Sequence, residues 1–66
     1  MTVDQIAVGR CYRLLIDGRL LVAKVLDIRG GPGGIVRWTL QGTPARDYRI
    51  DPLEKFASCA EAEVRC

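Results

Sequence analysis

Three cysteines, Cys11, Cys59 and Cys66, are the strongest nucleophiles in the chain, and there is no histidine to activate them. A thiol becomes catalytic when a neighbouring base or a positive setting holds it as thiolate. Without imidazole only carboxylates remain as bases, so Cys11 reads as a structural thiol and no catalytic residue is assigned. A structural zinc site takes four ligands, usually with close C-x-x-C pairs or histidine. Neither feature is present, so no metal site is expected. Seven residues separate Cys59 from Cys66. On one helix their Cα atoms would stand about 10 Å apart, beyond disulfide reach. An odd number of widely spaced cysteines also differs from the even framework of small secreted domains. Free thiols are expected. The N-terminal run Met1-Thr2-Val3-Asp4-Gln5-Ile6 has neither a basic nor a long apolar region, so a cytoplasmic setting is expected too.

No cofactor motif is found. The run Gly30-Gly31-Pro32-Gly33-Gly34 has Val36 where a dinucleotide fingerprint needs its third glycine, and no Gly-Lys-Ser/Thr follows as in a phosphate-binding loop. It reads as a connection between strands. Asp27 reads as a polar side chain turned outward at a strand irregularity.

The charges are unevenly spread. Arg10 to Arg49 holds eight bases against three acids, and eight of the ten bases in the chain are arginine. Arginine's planar fork suits phosphate or carboxylate, which leans the charged surface towards an anionic partner. With 66 residues, 48% of them hydrophobic, there is material for one domain over 1–66 and one small core. The longest strictly apolar run, Leu20-Leu21-Val22-Ala23, falls far short of the roughly 20 residues of a membrane span.

These side chains must be positioned by short strands. Residues 10–16 alternate and end at Asp17-Gly18, a two-residue hairpin signal. A second strand over 19–29 slips phase, which predicts a bulge near Leu26-Asp27. A third covers 35–40 with Val36, Trp38 and Leu40 on one face, and a fourth covers 45–50. Pairing Trp38 with Tyr48 places Arg37 beside Arg49 on the outer face and buries both aromatics. Tyr12, Trp38, Tyr48 and Phe56 all fall in phase with apolar residues, so all four are expected in the core. A helix is predicted over 52–64: Asp51 as N-cap, Pro52 first, Glu54 third, and a stripe of Leu53, Phe56, Ala57, Ala60 and Val64. A fifth strand could come from residues 2–8 or from the end of the second strand.

The fold class expected is therefore mostly β, a small, partly open barrel with a C-terminal capping helix. The stretch Val8-Gly9-Arg10-Cys11-Tyr12, Asp17-Gly18 and Lys24-Val25-Leu26-Asp27-Ile28 resembles the KOW-type half of SH3-like barrels, which implies RNA binding. Leu20-Leu21 replaces that motif's second glycine. Residues 6–56 are also similar in layout to the type II dihydrofolate reductase, an SH3-like barrel that works as a tetramer. Where that family reads Val-Gln-Ile-Tyr in its active pore, this chain reads Tyr48-Arg49-Ile50-Asp51 and keeps only Ile50, so the reductase activity is not implied. The expectation is a non-enzymatic binding or adaptor module for a protein partner or a homo-oligomer. An RNA- or DNA-binding module is the alternative. Arg13, Lys24, Arg37 and Arg49 are the candidate contact residues, and no membrane partner is expected.

Overall fold

A computed structural model describes all of residues 1–66. Five strands form one antiparallel sheet: β1 Cys11–Ile16, β2 Arg19–Arg29, β3 Ile35–Leu40, β4 Arg49–Pro52 and β5 Ala60–Val64. Their order across the sheet is β4-β3-β2-β1-β5, and the sheet is open because β4 and β5 form its two edges. One helix, α1, spans Leu53–Cys59, and 3₁₀ turns lie at Val3–Gln5, Gly31–Gly33 and Ala45–Asp47. No helix is long and apolar enough to cross a membrane.

The first three strands follow the local sequence closely. Asp17 and Gly18 both take positive φ, 50° and 78°, the left-handed pair that lets a two-residue turn match strand twist. The β2–β3 register shifts between Val25 and Asp27, so Leu26 is the extra residue that returns Ile28 to the inner face. In the glycine run, Gly34 is required by space: a Cβ there would lie 1.8 Å from Arg29 O.

The C-terminal third departs from expectation in four linked ways. Residues 45–47 form a 3₁₀ turn, so β4 starts at Arg49 and Trp38 pairs with Arg49 instead of Tyr48. That one-residue slip turns Tyr48 out to solvent, outside the core. The helix begins after Pro52 without a side-chain cap, because Asp51 lies in β4 and accepts a hydrogen bond from Trp38 Nε1 at 2.8 Å. It also ends at Cys59. Residues 60–64, Ala-Glu-Ala-Glu-Val, alternate with a period of two, and they form the fifth strand beside β1. Neither residues 2–8 nor the end of β2 supplies it. Finally, the extended chain carries Cys66 back to Cys11, and the two are joined in a disulfide with Cα atoms 5.4 Å apart. Only Cys59 is a free thiol. A helix through residue 64 would have pointed Cys66 elsewhere, which is why spacing alone missed the bond.

The core lies between the inner face of the sheet and α1. Tyr12, Leu14, Ala23, Val25, Val36 and Trp38 face Leu53, Phe56 and Ala57, with Ile6 and Ala60 closing the sides. Phe56 meets Tyr12 edge-on at 6.1 Å and Trp38 at 5.7 Å between ring centres. The Tyr12 hydroxyl accepts from Ala7 N–H at 2.8 Å and donates to Gln5 O at 3.0 Å, tying the N-terminal segment over the core.

The disulfide closes a sequence separation of 55 residues. Loop-closure entropy then assigns it about 4 kcal/mol. In a domain this size, Cys66→Ser is expected to lower Tm by roughly 15 °C or more. Thermal unfolding followed by circular dichroism, with and without reductant, checks this: reductant should destabilise the parent protein and leave the variant unchanged.

Candidate binding surface

The four basic residues singled out by sequence divide between the two faces of the sheet. Arg13, Lys24 and Arg37 alternate out of phase with the buried Tyr12, Val25 and Trp38, so they share the outer face. They lie on a diagonal: Arg13 pairs with Val22, Lys24 with Thr39, and Arg37 with Asp27 across the bulge. Arg49 does not join them. The β4 slip puts it on the inner side, with its guanidinium carbon 5.4 Å from the centre of the Trp38 ring. Arg37 is paired across β4 with Ile50, not with Arg49, and the like-charge contact expected from the sequence is removed.

Most of the outer positive charge is already matched. Arg13 Nε lies 3.6 Å from Glu61 Oε1, and Arg10 Nη1 lies 2.8 Å from Glu63 Oε2. Asp27 is the hub of a tighter group. Its Oδ2 accepts from Arg29 Nε at 2.9 Å and from Arg37 Nη2 at 3.2 Å, while Oδ1 accepts from Ile28 N–H at 2.9 Å. The Arg29 hydrogen bond, aided by the Ile28 amide and the Arg37 charge, holds the Asp27 carboxyl below the usual carboxylate range. The bulge makes this possible: with Leu26 as the extra residue, Asp27 turns outward although it stands two residues after the inward Val25. On its other side Arg37 stacks 5.0 Å from the centre of the Tyr48 ring.

Around this charged group the surface is apolar. Ile35 and Ile50 are 43% and 55% exposed, and with Asp27, Arg29 and Arg37 they line a cavity of about 280 Å³. Ile35, Ile50 and Tyr48 are three of the six large hydrophobic side chains exposed on the molecule, and all three lie at the β3–β4 border. Sequence reading missed Tyr48 and Ile50 because it placed both on the buried face of the fourth strand, opposite Trp38 and Val36.

The cavity adjoins an open backbone. Leu53 N–H donates to Gly34 O at 2.9 Å. Inward-facing pairs alternate along an antiparallel ladder, so Asp51 and Arg49 address β3 while Ile50 turns its N–H and C=O to the free side. Pro52, which has no N–H, takes the other outward position. The unpaired edge thus offers one complete donor–acceptor residue flanked by exposed apolar side chains.

No match to this chain is found among protein-family models, curated proteins or solved structures.

The Asp27 group carries a sign-definite pH dependence. Its carboxyl has a lowered pKa in the folded state, so its contribution is present above the ordinary aspartate pKa and fades as pH falls through the lowered value. Asp27→Asn is expected to flatten the acid limb of the stability curve. Urea midpoints between pH 7 and pH 2 check this; parallel curves for both proteins would contradict it.

Proposed function

We propose that the protein is a small SH3-like module, not an enzyme, that binds a protein partner as an added strand on β4. The fold assignment is supported by the four-strand meander, the bulged long β2, and a short helix leading into a fifth strand that returns to β1. The observation that carries the binding mode is the exposed trio Ile35, Tyr48 and Ile50 beside the outward-facing backbone of Ile50. Strand addition draws affinity from main-chain hydrogen bonds and specificity from pockets for alternate side chains. The 280 Å³ cavity is one such pocket. An exposed edge with apolar flanks is otherwise a self-pairing hazard, so a second copy of the chain is the default occupant when no partner is present.

Nucleic-acid binding is the second reading, favoured by the diagonal of Arg13, Lys24 and Arg37 on one face. Against it stand the carboxylates already facing Arg13 and Arg37. A disulfide is characteristic of oxidising compartments. The Cys11–Cys66 bond therefore runs against a reducing cytoplasm as the working environment.

Selection from a library of extended decapeptides is expected to yield apolar residues at alternate positions. Ile50→Asp should weaken the selected peptide at least tenfold with little change in Tm, because Ile50 is exposed. Equal binding by the variant contradicts the assignment. So does capture of random RNA or DNA pools at physiological salt that is lost in Lys24→Ala; that result would favour the second reading.

A further inference from the structure

The inner side of the sheet holds a second cavity that the proposed strand-binding edge does not use. It has a volume of about 190 Å³ and opens between α1 and the β1–β3 side of the sheet. Leu14, Trp38 and Phe56 form its buried floor, and Ile16, Cys59 and the stems of Arg49 and Lys55 form its accessible walls. A dry cavity of about 150 Å³ with Leu, Ile and Phe walls is enough to hold benzene. The cleft here is open to solvent on one side, and its volume accommodates one six-membered ring with a short substituent.

The rim carries two cations, Arg49 and Lys55, and one carboxylate, Asp51. Asp51 is committed inward: Oδ2 accepts from Trp38 Nε1 at 2.8 Å, and Oδ1 faces Lys55 Nζ at 3.9 Å. Arg49 is over the Trp38 ring and forms no ion pair with any carboxylate of the chain. Lys55 and the unpaired Arg49 thus outnumber the single carboxylate at the mouth of the cleft. An apolar body carrying a single negative charge matches both features, because its ring would fill the cleft while its carboxylate meets Arg49 and Lys55.

We propose that this cleft binds a small aromatic monocarboxylate. The ring lies against Ile16 and Cys59 above the buried Leu14 and Phe56, and the carboxylate takes the position between Arg49 and Lys55. The site opens on the face of the sheet opposite Ile35, Arg37 and Ile50, and shares β4 with the strand-binding edge through Arg49 and Asp51.

Two groups in the protein report occupancy directly. Trp38 is the only tryptophan, so its indole N–H gives one resolved signal in a ¹⁵N correlation spectrum. Cys59 is the only free thiol and lines the same cleft. Phenylacetate is the probe, with phenylacetamide as its neutral isostere and benzylamine as the cation. Phenylacetate is expected to shift the Trp38 indole signal with a dissociation constant of about 1 mM or tighter. It should also slow alkylation of Cys59, with both control compounds at least fivefold weaker. Arg49→Gln should remove the preference for phenylacetate over phenylacetamide; Arg49 is exposed, and an unchanged spectrum elsewhere verifies the fold. Equal binding of phenylacetate and phenylacetamide overturns the proposal, as does an unmoved indole signal at 10-fold that concentration. A tetrapeptide ending in Phe that binds more tightly than phenylacetate would reassign the site to a peptide C-terminus and also overturn it.

Discussion

Phe56 sets the geometry of the molecule. Seven residues of helix cannot hold themselves in water, because a helix this short never recovers the cost of its first turn. What holds α1 is the insertion of Phe56 between Tyr12 on β1 and Trp38 on β3, two strands apart in the sheet. The sheet must curve to bring those rings to one side chain, and the extra residue at Leu26 in β2, the strand between them, provides the local bend. Aromatic burial of this kind dominates small cores, and truncating such a residue to alanine costs about 3–5 kcal/mol.

From that seat the two ends of the sheet acquire different fates. After α1 the chain has one direction left, back along β1, and β5 is fastened there three times: by the ladder, by the Glu61 and Glu63 ion pairs, and by the Cys11–Cys66 bond. Before α1 the chain has four strand residues in β4 and no cross-link. One edge is therefore tied and charged, while the other is short, apolar at its margin and open. The asymmetry argues for β4 as the contact edge more strongly than the abundance of arginine argues for nucleic acid. Asp27 and Glu61 also reduce the free positive charge that a phosphate backbone would meet.

Much of the sheet was legible in the sequence. The spans of β2 and β3, the Asp17-Gly18 turn and the bulge at Leu26 follow from alternation and turn chemistry, which are local. The misread elements depend on non-local packing. Leu53, Phe56, Ala57 and Ala60 do form one buried stripe, as their spacing indicates. A helix continued to residue 64 would extend past the core that α1 covers, and the period-two alternation of Ala60 to Val64 was outweighed by the good helix propensity of Ala and Glu. Asp51 satisfies every rule for an N-cap, yet the buried Trp38 indole needs an acceptor and takes it. At the candidate surface, Arg37 and its outward direction were legible. The exposed Ile50 and Tyr48 were not, because a one-residue register slip inverts a strand's faces and nothing local marks it.

Amide hydrogen exchange at Ile50 is the measurement that bears most directly on this account. In the free protein its N–H faces solvent from an unpaired edge, so it should exchange near the unprotected rate while Arg49 and Asp51 are slowed. With a selected peptide bound, protection should appear at Ile50, leaving the β5 amides as they were. Protection of Ile50 in the free monomer, or new protection confined to β5 on binding, would contradict the assignment of β4 as the receiving edge.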